Sequence, residues 1–252
     1  MNDADRSIQD RVAEVRASIA DACRAAGRSP EEITLVAVSK THPPATILEA
    51  IAAGLTDFGE NRVEEAVDKI AAVQAALPPN AGVRWHMVGH VQSRKARLVV
   101  PRFDLVHSVD SVRLSDKLSR LAQEAGRVLD VLLEMNVSGE ATKSGWQAAG
   151  WAADSALRES LWSDVQSILA LPGVRVQGLM TMAPLVSDPE LTRPVFAGLR
   201  CLRDALREDF PEASWDQLSM GMSDDYLVAI SEGATIVRIG RAIFGPRLVE
   251  QE

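Results

Sequence analysis

Lys40 closes the apolar run Val36-Ala37-Val38-Ser39 and is the residue best placed for covalent chemistry. An amine at the end of an apolar strand is desolvated. Desolvation lowers a lysine's pKa and frees the neutral amine to attack carbonyls. Taken alone, a strand-end lysine is more often a solvated surface residue, so Lys40 needs partners to mean more. Arg238 is one candidate. It lies within Ile236-Val237-Arg238-Ile239, and period-two alternation sets it on the face opposite Val237 and Ile239. A buried arginine requires a counterpart, either a ligand or a core carboxylate such as Glu60 or Glu134. Two glycine-bearing segments add a second kind of chemistry. One is Leu218-Ser219-Met220-Gly221-Met222-Ser223, with Asp224 starting a helix. The other is Arg238-Ile239-Gly240-Arg241, with a helical turn over 242–245. Glycine lets backbone amides approach a phosphate closely, and a helix start adds a favourable dipole. Each segment alone is equally consistent with ordinary turn chemistry.

Other chemistries find no support. The four histidines, His42, His86, His90 and His107, match no metal-ligand spacing. His86 and His107 fall on strand-like runs and read as core histidines with satisfied nitrogens. There is no Gly-x-Ser-x-Gly elbow and no Walker loop. Asp224 and Asp225 read as helix-start acids.

The elements that must position these groups follow from periodicity. Ile8, Val12, Val15, Ile19 and Cys23 form an amphipathic stripe over about 4–27, and Gly27 is its stop. Eight strand-like runs follow, over 33–39, 56–59, 83–89, 104–109, 128–137, 174–182, 215–220 and 235–239. Helical stripes lie between them: Val63 to Leu77, Leu114 to Ala125, Leu161 to Leu169, and Phe196 to Phe210. Pro43 and Pro44 open a further helix running to Gly54. Strand–helix alternation with short connections means parallel strands joined by right-handed crossovers. Eight such units in 252 residues fit an α/β fold of the (β/α)8 barrel type, whose functional groups sit at strand C-termini. An open doubly wound sheet is the alternative. Residues 138–151, rich in glycine and small polar side chains, read as a long loop at the barrel mouth. No linker divides the chain, so residues 1–252 are expected to be one domain, with 1–30 an N-terminal helix packed on it.

The composition narrows the class. Net charge is −8 with no basic block, which argues against nucleic acid as the main partner. Cys23 and Cys201 belong to no CxxC pair and read as small buried residues on helix faces. The acidic N-terminus is not a signal peptide, and no apolar run approaches the length that spans a bilayer. A cytoplasmic location is expected.

Several motifs taken together resemble one family. They are, in order, Val36-Ala37-Val38-Ser39-Lys40-Thr41, Phe58-Gly59-Glu60-Asn61-Arg62, Trp85-His86-Met87-Val88-Gly89-His90 and His107-Ser108-Val109-Asp110-Ser111. Glu134-Met135-Asn136-Val137-Ser138-Gly139-Glu140, Gly178-Leu179-Met180-Thr181-Met182-Ala183-Pro184, Leu218-Ser219-Met220-Gly221-Met222-Ser223-Asp224-Asp225 and Arg238-Ile239-Gly240 complete the set. The chain resembles the pyridoxal phosphate homeostasis protein family over nearly its whole length, at every expected strand end. The resemblance implies the barrel of the alanine racemase N-terminal domain, a type III pyridoxal-phosphate fold. It implies a Schiff base to pyridoxal 5′-phosphate at Lys40 and a phosphate held around Ser219, Met220, Gly221, Gly240 and Arg241. It places Arg238 against the pyridine nitrogen and Asn61 near the cofactor. Arg241 departs from the pattern, because the family commonly has a small hydroxyl residue there. The implied role is carriage and homeostasis of the cofactor rather than turnover, with apoenzymes that use it as the receiving partners. Lys143, in the long loop, is a candidate second amine or phosphate contact.

Two other functions stay open at this level. A weak amino-acid racemase would need a second acid/base opposite Lys40, and Tyr226 is the only tyrosine. With the chain ending soon after the eighth strand, no second domain is expected to supply one. A barrel enzyme using Lys40 on a phosphorylated metabolite would give Arg238 no obvious role. The acidic helical surface distinguishes neither monomer nor dimer.

Overall fold

The structure is a computed structural model that describes residues 6–79 and 81–245. The part of the expected first helix before residue 6 lies outside the described residues. Helix α1 (Ile8–Ala25) starts with a capping box in which Ser7 and Asp10 satisfy each other's backbone amides. The strands are β1 (Thr34–Val38), β2 (Asp57–Glu60), β3 (Arg84–Met87), β4 (Leu105–Val109), β5 (Leu129–Asn136), β6 (Trp146–Gln147), β7 (Val174–Met180), β8 (Gln217–Ser219) and β9 (Ile236–Ile239). Between and after them run α2 (Pro44–Ala52), α3 (Val63–Ala76), α4 (Ala96–Val99), α5 (Val112–Glu124), α6 (Ser155–Leu169), α7 (Arg193–Asp209), α8 (Tyr226–Ser231) and α9 (Arg241–Phe244).

All ladders are parallel, and the order β1-β2-β3-β4-β5-β7-β8-β9 closes on itself where β9 pairs with β1. The eight expected strands therefore form a closed (β/α)8 barrel, not an open sheet. The observed strands are shorter than the apolar runs, although single ladder bonds continue past their ends. Thr181 N–H, for example, donates to the Ser219 carbonyl at 3.1 Å and Met220 N–H to that of Ile236 at 3.1 Å. The long 138–151 loop carries the two-residue strand β6, which pairs only with the outer end of β5.

Alternation divides the strand residues as the period of two requires. Val36, Val38, Val88, Leu105, Leu132, Met180 and Ile236 pack together inside the barrel. Ala37, Phe58, Trp85, Val106, Val131, Leu179, Leu218, Val237 and Ile239 face the helices. Helix α1 packs on α8 and α9, buries Val12, Val15, Ile19 and Cys23, and covers the side of the barrel where it closes. Just beyond it, Arg28 Nη1 donates to the carbonyls of Ile230 (2.9 Å) and Ala234 (2.8 Å). Cys201 corrects an expectation, for it is exposed. One residue before Leu202 on α7, it is rotated about 100° off the buried stripe. Phe210 falls just past α7 as its C-cap, and α8 starts at Tyr226 rather than Asp224. Among the described residues, no helix is long and apolar enough to cross a membrane.

Gly178 lies in β7 where its ladder with β5 shifts register. Its φ is +149°, and a Cβ there would stand 1.9 Å from the Gln217 carbonyl oxygen. Gly27 also has positive φ (+67°) but faces open space. In urea unfolding, Gly27→Ala should cost about 1 kcal/mol, the cost of an L-residue at positive φ. Gly178→Ala should cost about 3 kcal/mol or more, since backbone must move. Equal losses would contradict this packing.

Candidate functional site

Lys40 follows Val38 by two residues, and Val36 and Val38 line the barrel interior. Continued past the strand end, the same alternation would turn Lys40, a half-buried residue, toward the mouth. It is the second residue of a turn closed by His42 N–H donating to the Ser39 carbonyl at 3.1 Å. The third residue, Thr41, has φ +66°, the only positive φ at a non-glycine position among the described residues. A buried ionic cluster lies behind this turn. Lys69 Nζ donates to the Ser39 carbonyl (2.9 Å), Glu60 Oε1 (2.9 Å) and Glu65 Oε1 (2.7 Å). Ser39 Oγ donates to Glu60 Oε1 at 2.6 Å, and Thr41 N–H to Glu65 Oε1 at 2.6 Å. Burial raises the Glu60 carboxyl above its usual range, against the pull of Lys69. Burial also pushes Glu65 up, but its bonds from Lys69 and the Thr41 amide outweigh that and hold it low.

Arg238 stands opposite Val36 in the β1–β9 ladder and points into the barrel, 5 % exposed. It forms no ion pair among the described residues. Glu60 is taken by Lys69, while Asp225 and Glu134 act on Arg238 only through their field. Instead Nη1 donates to Ser219 Oγ at 2.6 Å and Nη2 to the Thr181 carbonyl at 2.9 Å. From Ser219 a hydrogen-bonded chain runs down the barrel. Ser219 Oγ lies 2.8 Å from His107 Nδ1, His107 Nε2 lies 2.9 Å from His86 Nδ1, and His86 Nε2 lies 2.9 Å from Asp57 Oδ1. The chain ends beside a floor cavity of about 150 Å³ lined by Arg84, His86, Asp130 and Gln177 among others.

One end of this chain fixes all of it. The Asp57 carboxylate, held low against its burial by its hydrogen bonds, only accepts, so His86 gives it Nε2–H. When the His86 ring carries that one proton, its Nδ1 accepts from His107 Nε2–H, and His107 Nδ1 accepts the Ser219 hydroxyl proton, which leaves the Ser219 lone pairs for Arg238. Burial holds His107 neutral, far below its ordinary pKa, and the Arg238 cation adds to the effect. Burial pulls Arg238 down to about 10, still charged at neutral pH. The expectation of core histidines with satisfied nitrogens holds for both rings.

The glycine segments converge on the same rim, by different means than expected. The Ser219 hydroxyl points inward to Arg238 and His107. Met220 packs into the helix-facing core, and its amide is engaged by Ile236. Gly221 has φ +93°, and a Cβ there would meet Ala229 Cβ at 2.7 Å and Tyr226 Cα at 2.9 Å. Packing against α8 therefore requires this glycine. The next loop is closed by Met222 N–H donating to Asp225 Oδ1 at 2.6 Å. Gly240 opens α9, and a Cβ on it would lie 3.2 Å from the Val38 carbonyl oxygen. Its backbone is thus within reach of the strand that carries Lys40. The Arg241 guanidinium turns outward and pairs with Asp224, linking the two segments across the rim. Ala242 N–H also reaches Ser223 Oγ at 3.5 Å.

Asn61 follows β2, and its Oδ1 is buried without a hydrogen-bond partner among the described residues. Such an acceptor suits a donor from a ligand or a water. Across the mouth, Asn136 organises the long loop, accepting from Ser138 Oγ and Gly139 N–H (both 3.0 Å) and donating to the Glu140 carbonyl at 2.9 Å. Lys143 on that loop rests 3.4 Å from the Ala183 carbonyl. The rim thus combines an amine, an open acceptor, a fixed cation and glycine-bearing loops. These groups suit a small ligand with a carbonyl, a phosphate and a ring acceptor. Sequence reasoning missed Asp57, Glu65 and Lys69, whose roles depend on which residues the barrel brings together.

This barrel, with a lysine ending its first strand and an arginine inside its last, defines a recognisable class. The alanine racemase N-terminal domain model matches residues 13–247, and the chain belongs to that family. Within it, the chain belongs with the pyridoxal phosphate homeostasis proteins. It is 42 % identical to the one from Pseudomonas aeruginosa over 241 residues, 96 % of each chain. It is 40 % identical to the one from Vibrio alginolyticus over 241 residues, 96 % of this chain and 98 % of that one. Among solved structures it is similar to PipY of Synechococcus elongatus PCC7942 with PLP bound, at 37 % identity and a TM-score of 0.80. That match covers 94 % of this chain and all of PipY.

Two outcomes follow. In ¹⁵N-labelled ligand-free protein near neutral pH, His86 and His107 should both carry their proton on Nε2; an Nδ1–H on either ring would break the ordering. Glu134, inside the barrel, is raised to about 7 by burial, with Asp110 adding to the shift. The native state therefore binds this proton more tightly than the unfolded chain, and Glu134's contribution to stability falls as pH rises from about 4.5 through 7. Glu134→Gln should gain about 1–3 kcal/mol on the wild type between pH 5 and pH 8 in urea unfolding. A pH-independent difference would contradict it.

Proposed function

We propose that this chain binds pyridoxal 5′-phosphate as a Schiff base on Lys40 and serves to hold and deliver the cofactor within the cell. The observation that carries the proposal is the β1–β9 ladder, which pairs Val36 with Arg238 and Ala37 with Ile239 and so sets the strand ends that lead to Lys40 and to Gly240 side by side. PipY, similar along its full length, has been solved with PLP bound, and the curated relatives are named for homeostasis of that cofactor. In this reading the cofactor supplies an electrophilic aldehyde. Lys40 attacks it as the neutral amine, with loss of water. Asn61 Oδ1 accepts a hydrogen bond from the ligand. The Ser219–Gly221 segment and the backbone of Gly240 and Arg241 border the phosphate, while the Arg241 side chain closes the rim through Asp224.

Arg238 supports carriage over turnover. A guanidinium can only donate, so a pyridine nitrogen facing it stays unprotonated. An unprotonated ring is a weaker electron sink than one protonated by a carboxylate partner. Such a site holds the aldehyde without strongly promoting carbanion chemistry. The receiving partners would be apoenzymes that require the cofactor.

The test is the visible spectrum of the purified protein with pyridoxal phosphate, followed by borohydride reduction and peptide mapping. The reduced adduct should map to Lys40 and vanish in Lys40→Ala. An adduct elsewhere, or none, would refute the site. Sensitive assay of D-alanine formed from L-alanine should show no turnover above Lys40→Ala; clear production would make the protein a racemase.

A further inference from the structure

Thr41 is held where a threonine does not rest by choice. A turn with positive φ only at its third residue has the sign pattern of type II, where Gly or Asn is usual. A β-branched residue there is strained, and strain persists only where the surroundings enforce it. What enforces it is the cluster on α3. Glu65 accepts the Thr41 amide, and Lys69 accepts nothing but donates to the Ser39 carbonyl, Glu60 and Glu65 together. Glu60 in turn takes the Ser39 hydroxyl. The residues on both sides of Lys40 are thus tied to one buried ionic group.

The cluster is an expensive way to fill space. Glu60 is fully buried, Lys69 is 6 % exposed, and Glu60 Oε2 has no partner among the described residues. Well-packed apolar side chains would do as well for stability alone. The bonds that distinguish the cluster from such packing go to the Ser39–His42 turn.

Resting on the reading that Lys40 is the Schiff-base residue, we infer that Glu65 and Lys69 are positioning residues that lock this turn in its strained form and so aim the Lys40 amine into the barrel mouth. If the lock were lost, Thr41 would relax to negative φ, and the direction of the Lys40 side chain would change with it. The phosphate and ring contacts lie on other strands and would stay.

Two ligands separate these effects. Pyridoxal 5′-phosphate reports Lys40 together with the pocket. Deoxypyridoxine 5′-phosphate, which has no aldehyde, reports the pocket alone. Glu65 is part-exposed, so Glu65→Ala leaves no buried cavity. In the full-length protein, Glu65→Ala should weaken pyridoxal phosphate binding about tenfold, the scale of one hydrogen bond to a charged group. It should leave deoxypyridoxine phosphate within about twofold, inside the error expected of such comparisons. Asn tolerates positive φ better than Thr, so adding Thr41→Asn to Glu65→Ala should restore most of the lost affinity. Lys69→Met should follow Glu65→Ala. Equal loss of both ligands, no loss of either, or failure of Thr41→Asn to restore binding would overturn the positioning role. A wild-type protein that binds deoxypyridoxine phosphate but forms no adduct at Lys40 would instead overturn the Schiff-base reading, and this inference with it.

Discussion

The ladder between β1 and β9 is the constraint from which the site follows. A parallel sheet that closes on itself makes its first and last strands neighbours, however far apart they lie in sequence. Here the closure pairs Val36 with Arg238 and sets the Gly240 backbone against Val38. Lys40 and Arg238 are nearly two hundred positions apart, yet register alone fixes their relation. Helix α1 and Arg28 then cover the closing strands from outside, so the joint that aligns the site is also among the best-supported parts of the fold.

The second organising feature is how charge is admitted to the interior. Two buried cations serve the rim, and they are neutralised differently. Lys69 meets carboxylates directly, in a compact cluster behind the Lys40 turn. Arg238 meets none. Its donors end on a hydroxyl and a carbonyl, and the matching negative charge sits at Asp57, three hydrogen bonds further along the chain that starts at Ser219. An arginine paired directly with a carboxylate would be electrically satisfied. Arg238, with its counter-charge distant, keeps its field directed at whatever occupies the mouth.

Much of this was legible in the sequence. The eight apolar runs, the stripes between them and the opposite-face placement of Arg238 all depend on short-range periodicity, which survives folding unchanged. Lys40 stood out because one strand end is a local fact. The misses are non-local. Cys201 was misjudged because the α7 stripe is narrow and one residue's rotation moves a side chain from core to solvent. Gly221 was readable as a phosphate glycine, yet its neighbours are α8 atoms that sequence order does not reveal. Glu65 and Lys69 stand four apart on α3, a spacing shared by any helical ion pair. Only the path of β1 shows that they reach Ser39 and Thr41. Arg241 departs from the family pattern by residue type alone, and only the fold shows that its side chain meets Asp224, because the loops after β8 and β9 run side by side.

The ordered chain below Arg238 has one more consequence. Protons migrate along hydrogen bonds by successive hand-offs, and each hand-off needs a molecule upstream able to give its proton away. Arg238 has no lone pair to take a proton onto and stays charged near neutral pH, so it is no link in such a relay. The line of groups that reaches from the floor of the barrel almost to its mouth therefore ends at a fixed cation. The barrel axis is polarised, negative at Asp57 and positive beneath the mouth, and a ligand lying above Arg238 meets the positive end.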